Sequence, residues 1–187
     1  MPENIRLDAA ALKVLAHPLR SRILSALRLH GPATATELAD RLNTNSGATS
    51  YHLRKLESVG LVEDTDEGEG KRRVWKAASA YHSWQASDFE GDEDAETSLG
   101  WLTRDYVRTA ADHMQQWFDV EHTWSPAWRD AIGVSDDVLL LTPAETRALH
   151  DEINALIARY KRTPSDDPDA RRISVWQLMH PVDMDQP

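Results

Sequence analysis

Between His17 and Gly60 the chain is punctuated four times, at His17-Pro18, Gly31-Pro32, Asn43-Thr44-Asn45 and Val59-Gly60. Proline is tolerated at the first position of a helix. Glycine followed by proline closes a helix, because glycine accepts the left-handed residue and proline cannot continue the turn. The punctuation leaves room for short helices only. In "PLRSRILSALRLHG", Leu19, Ile23 and Leu27 recur every fourth residue, with Leu24 alongside, which makes one apolar stripe. "TATE" places the Thr34 hydroxyl at a helix cap with Glu37 three residues on, the signature of a capping box, and Leu38 and Leu42 form the buried side. A shorter apolar helix precedes these at residues 8–16.

The next segment, "NSGATSYHLRKLESVGLVED", is unusual in its faces. Thr49, Leu53 and Leu56 are spaced four and three apart and share the side that packs. Ser46, Ser50 and Arg54 form a neighbouring stripe, and Gly47, Tyr51 and Lys55 the next, neither with an aliphatic side chain. Small residues near the start of such a helix let it sit deep in a major groove, where hydroxyls can reach base edges and Arg54 and Lys55 can reach phosphates. "LVED" and "RRVWKA" read as strands, joined by a loop with two glycines that is longer than a tight turn. Helices ending in an exposed one, followed by a β-hairpin, make a winged helix-turn-helix.

Composition opposes this reading in total and supports it in distribution. The net charge of the 187 residues is −10. The first 80 residues hold 12 Lys and Arg against 10 Asp and Glu, and the rest hold 9 against 21, so the halves carry +2 and −12. Such asymmetry predicts separate tasks. There are no cysteines, so a disulfide framework and thiolate metal sites are excluded and a reducing cytoplasm fits. The start lacks a basic leader followed by an apolar run, and "VLLL" is far too short to span a bilayer, so no membrane partner is expected.

Three regions follow: a winged helix-turn-helix DNA-binding domain over 1–80, an acidic linker or loop over 81–97 and a helical region over 98–187 that dimerises. In the last, a long amphipathic helix is expected from Leu99, with Leu102, Tyr106, Ala110, His113 and Trp117 near a heptad seam. "TPAE" repeats the capping logic at Thr142, and Leu149, Ile153, Leu156 and Tyr160 form that helix's stripe. "DVLLL" and "RISVWQLM" are rich in β-formers and read as strands that could pair. The fold class is therefore mainly α with small β.

"HPLRSRIL", "TELADRL" and "SYHLRKLESVGLV" resemble the ArsR-type winged-helix transcriptional regulators, over about residues 8–78. The resemblance implies a homodimer on double-stranded DNA that blocks or tunes transcription. It carries the DNA-contact positions to Ser46, Gly47, Ser50, Tyr51, Arg54 and Lys55 and the wing to Lys71, Arg72 and Arg73; Thr49 lies on the packed face and is left out. Metal-sensing members place cysteines on the third helix, and this chain has none there, so no metal or other cofactor is expected. Asp66, Glu67 and Glu69 make the wing tip acidic, which would repel phosphate unless it points away.

Eight histidines include no compact ligand pair, and His113 reads as a packed residue beside Trp117. Seven tryptophans are many; Trp101, Trp117, Trp124 and Trp128, with Tyr106 and His113, form either a core and dimer seam or an aromatic-lined pocket for a small apolar, aromatic or cationic effector. No glycine-rich phosphate loop or "GxSxG" is present, so an enzyme is not expected. The alternatives to a regulator are a winged helix used for protein contacts and a ligand-binding protein without a DNA function.

Overall fold

The computed structural model describes residues 4–68, 72–161 and 165–183. It falls into two compact units, one up to Asp112 and one from His113 onward. In the first, α1 (Ala9–Leu15) is capped by the Asp8 carboxylate, which accepts from the Ala11 N–H at 2.8 Å. In α2 (Pro18–His30), His17 Nδ1 accepts from the Leu19 N–H at 3.2 Å, and Gly31 closes the helix at φ 85°. The capping box forms at α3 (Ala35–Arg41): the Thr34 hydroxyl accepts from the Glu37 N–H, and the Glu37 carboxylate accepts from the Thr34 N–H at 2.7 Å. Asn45 caps α4 (Ser46–Glu57), accepting from the Ala48 N–H at 2.8 Å.

The expected hairpin forms with one strand more. β3 (Val62–Asp64) and β4 (Val74–Ala77) run antiparallel, and β2 (Ala33–Thr34) adds to the other side of β4, giving the order β2-β4-β3. Gly60, at φ 71°, turns the chain from α4 into β3, a conformation that favours glycine. Leu15, Ile23, Leu38, Leu53, Leu56 and Leu61 are fully enclosed between the helices and this sheet.

Residues 81–97 are not a linker. β5 (Tyr81–Ser83) pairs in parallel with β1 (Asn4–Arg6), a 3-10 turn covers Ala86–Phe89, and α5 begins at Glu93 rather than at Leu99 and runs to Val120. The acidic residues there are solvated or paired, while Phe89 and Ala95 are buried in the core; Lys13 donates to the Asp92 carboxylate at 2.8 Å. Overall acidity hid two apolar anchors, each enough to fix a turn of chain.

A buried polar chain holds α5 to the core. Arg28 on α2 donates to the Ser79 carbonyl at 3.0 Å and to His82 Nδ1 at 2.7 Å. A guanidinium can only donate, so Nδ1 accepts and the ring proton lies on Nε2, 2.6 Å from the Tyr106 hydroxyl oxygen on α5. Burial brings Arg28 down to about 10, brings His82 down to about 3 with help from the Arg28 charge, and raises Tyr106.

In the second unit, α6 (Pro126–Ala131) follows a 3-10 turn at Glu121–Thr123, and α7 (Pro143–Lys161) opens on a second capping box, with the Glu145 carboxylate 2.8 Å from the Thr142 N–H. The two expected strands do not form among the described residues: 137–141 and 172–179 are without β-ladder partners, and Leu140 is fully exposed. β-propensity records fit to a paired, half-buried surface, and a strand without a neighbour gains nothing from it. No helix among the described residues is long and apolar enough to cross a membrane.

A neutral His82 in the fold and an ordinary histidine in the unfolded chain make stability depend on pH. Its contribution is complete above the unfolded pKa of 6.5 and is lost as pH falls toward the folded value of about 3, because the unfolded chain binds the extra proton. Urea midpoints at pH 7 and pH 5 should show His82→Asn removing up to about 1.4 kcal/mol per pH unit of that dependence.

Candidate nucleic-acid interface

The sequence of α4 sorts its side chains by radius. Thr49, Leu53 and Leu56 are fully buried, and the Thr49 hydroxyl donates back to the Asn45 carbonyl at 3.1 Å. Ser46, Gly47, Tyr51, Arg54 and Lys55 are exposed and Ser50 is half-buried, so the expected contact positions share the outward half of the helix. Tyr51 stands out of the surface at 57% exposure, with the Lys55 ammonium 5.8 Å from its ring centre.

Ser46, Ser50 and Arg54 line one wall of a small groove, about 260 Å³ in volume. Its other walls are Thr34, Ala35 and Thr36 at the start of α3, and Arg72, Arg73 and Trp75 from the hairpin. The hairpin thus brings two of the expected wing residues to the flank of α4; Lys71 lies outside the described residues. Both arginines are engaged. Arg72 lies 3.7 Å from the Glu37 carboxylate, and Arg73 lies 3.3 Å from Asp64 and 3.7 Å from Glu57, with its guanidinium over the Trp75 ring. Exposed pairs at these distances are weak and exchange readily for a stronger anion. The Glu37 carboxyl is held below the usual carboxylate range, first by the Thr34 N–H, then by the Thr34 hydroxyl. Asp66 and Glu67 are exposed on the loop beyond β3.

The other flank of α4 carries His52, which the sequence leaves open between a packing and a phosphate-contact role, and His17, which the sequence reads as structural at a helix start. His52 stacks on His17 with ring centres 4.5 Å apart, and Tyr51 meets His52 edge-on at 5.2 Å. Arg20 comes close enough to both histidines to lower their pKa values, although burial is the larger cause for each. "HPLR" shows Arg20 one helical turn after His17, but nothing local says that His52 packs against them.

The six aromatic and histidine positions of the second half are divided between the two units. Trp101 packs against the core of the first unit, and Tyr106 is bound within it to His82. In the second unit Trp117, Trp124 and Trp128 form an edge-to-face ladder with spacings of 5.4 and 5.9 Å. His113 is exposed and meets Trp176 edge-on at 6.3 Å. A cavity of about 780 Å³ opens beside the ladder, with Trp124, Trp128, Asp169 and Arg171 among its walls. No cluster of three metal-ligating side chains occurs among the described residues.

Three recurved helices and a hairpin, with a polar helix face turned outward, define a winged helix-turn-helix. Residues 15–65 match the family described as a helix-turn-helix domain. A stretch of 54 residues is 43% identical to the HTH-type transcriptional regulator NmtR of Mycobacterium tuberculosis (strain ATCC 25618 / H37Rv), covering 29% of this chain and 44% of that protein. The chain thus spans less than half the length of that curated relative. Among solved structures, it is similar at 27% identity to a homodimeric winged helix-turn-helix DNA-binding domain from Mycobacterium bovis, a possible ArsR-family transcriptional regulator, over 56% of this chain and 77% of that one, with a TM-score of 0.34. RV1404 from Mycobacterium tuberculosis aligns over 84% of each chain at 15% identity, with a TM-score of 0.31. Residues 15–65 therefore form a helix-turn-helix domain, and the hairpin that follows α4 makes it one of the winged kind.

The two faces of α4 should respond differently to truncation. Leu53→Ala should cost about 2–5 kcal/mol of stability. Tyr51→Ala should stay within about 0.5 kcal/mol. Denaturant unfolding of both variants checks the assignment.

Proposed function

We propose that the chain is a sequence-specific, DNA-binding transcriptional regulator that acts as a homodimer. The observation that carries the reading is the outward face of α4, where Ser46, Gly47, Ser50, Tyr51, Arg54 and Lys55 present hydroxyls and cations with no aliphatic side chain among them. Such a face gains nothing by packing and is suited to the polar edges of base pairs. In this reading Ser46, Ser50 and Tyr51 read bases, while Arg54, Lys55, Arg72 and Arg73 meet phosphates. The name of the curated relative, a transcriptional regulator, supports the same role. The protein works in the cytoplasm, where the DNA is, and represses by occupying its operator.

The second unit supplies the dimer contact. Among its described residues none is buried, and Val134, Val138, Leu140, Ile173, Val175 and Leu178 are all more than half exposed. Exposed apolar side chains in that number suit a surface that a second copy covers. Two copies would place two α4 helices on half-sites about one DNA turn apart. The tryptophan ladder and its cavity suit a small aromatic or apolar effector. Such a ligand changes DNA affinity only by binding the two dimer states unequally.

Arg54→Ala should weaken binding and reduce the slope of log K against log salt by about 0.9, measured by fluorescence anisotropy on duplex DNA. Sedimentation should show a dimer for the full chain and a monomer for a chain ending at Asp112; a shortened chain that still dimerises would move the contact into the first unit.

A further inference from the structure

We infer that Arg20, framed by His17 and His52, is a phosphate-binding position that grips the DNA backbone on the flank of α4 away from the hairpin. The inference rests on the DNA-binding reading above and adds a contact to it. A helix in the major groove lies between two sugar–phosphate walls, and phosphate contacts on both fix its register. On the hairpin flank, Arg54, Arg72 and Arg73 line the groove with Ser46 and Ser50. At 3.6 residues per turn, His52 lies about 200° around α4 from Ser50, so the His17–His52 stack marks the opposite flank.

Arg20 stands there without a counterion. Its guanidinium makes no hydrogen bond or ion pair among the described residues, and its Nε is buried without a partner. The contrast with its neighbours is informative: Arg22 donates to the Leu42 carbonyl, Arg28 to Ser79 and His82, and Arg72 and Arg73 lie against carboxylates. A half-buried cation held out of water with no compensating anion is unfavourable by itself, and burial lowers the Arg20 pKa accordingly. Docked phosphate supplies the missing charge. His52 Nδ1 is also buried without a partner, so a second polar atom on this flank is left unsatisfied beside the cation. Tyr51, edge-on to His52, joins this flank to the outward face.

The test uses the full chain and a random-sequence duplex, read by fluorescence anisotropy across a salt series. Arg20→Gln should bind about tenfold more weakly at moderate salt, as loss of one charge-assisted contact implies, and its log–log slope should fall by about 0.9. Arg20→Lys should restore the slope. Arg108→Gln, which removes one exposed charge on α5, should leave the slope unchanged. The thermal midpoint of Arg20→Gln should not fall, which separates a contact from a structural role. If wild type binds and Arg20→Gln keeps its slope, or if Arg108→Gln lowers the slope equally, the assignment of Arg20 is overturned while the DNA reading stands. If the wild-type chain fails to bind duplex DNA even at low salt, both readings fall together.

Discussion

Everything this fold presents outward depends on how one helix is seated. Thr49, Leu53 and Leu56 fix α4 to the core through side chains with no exposed surface. A rotation by one residue, about 100°, would bury Ser50 and Arg54 and lift a leucine into water. The resulting loss, a buried cation and an exposed aliphatic at once, is large enough to specify a single orientation. The outward row from Gly47 to Lys55 is therefore placed by the inward row, and the groove between α4 and the hairpin inherits that placement.

The second constraint is polar. Arg28, His82 and Tyr106 join α2, β5 and α5 through bonds of 2.7 and 2.6 Å, with Ser79 accepting from the same guanidinium. No carboxylate is needed, because a neutral imidazole accepts from the arginine on one side and offers its proton on the other. The network, with Phe89 and Leu102 in the core, makes the first turns of α5 part of the first unit. The compact unit reaches Asp112, well beyond the hairpin at which the helix-turn-helix pattern ends.

What was legible in the sequence was local. His17-Pro18, the Thr34 and Thr142 capping boxes, Gly60 and the Thr49–Leu53–Leu56 row each act within a few residues, and each is found as expected. What was hidden depends on partners far away in the chain. The β1–β5 pairing joins residues 77 apart in the chain, Asn4 with Tyr81 through Arg6 with Ser83, and three-residue strands leave no periodic trace. Acidic composition masked Phe89 and Ala95. The β-formers of 137–141 and 172–179 announced strands that the described structure does not pair, since propensity cannot supply a neighbour. For the interface, the outward positions could be read from helical spacing, whereas the ion pairs of Arg72 and Arg73 and the packing of His52 on His17 are tertiary facts.

The parallel pairing of β1 with β5 bears on how the molecule is made. Asn4 and Leu7 hydrogen-bond to Ser83, and Arg6 and Lys13 reach Asp88 and Asp92. During synthesis the three central helices can assemble early, from neighbouring contacts, while the opening strand waits for a segment translated much later. Closing so long a loop is the slow kind of event in folding. Until Tyr81–Ser83 is available, the helical core can be largely complete while Asn4–Arg6 stays unpaired, and such an edge is open to pairing with another chain.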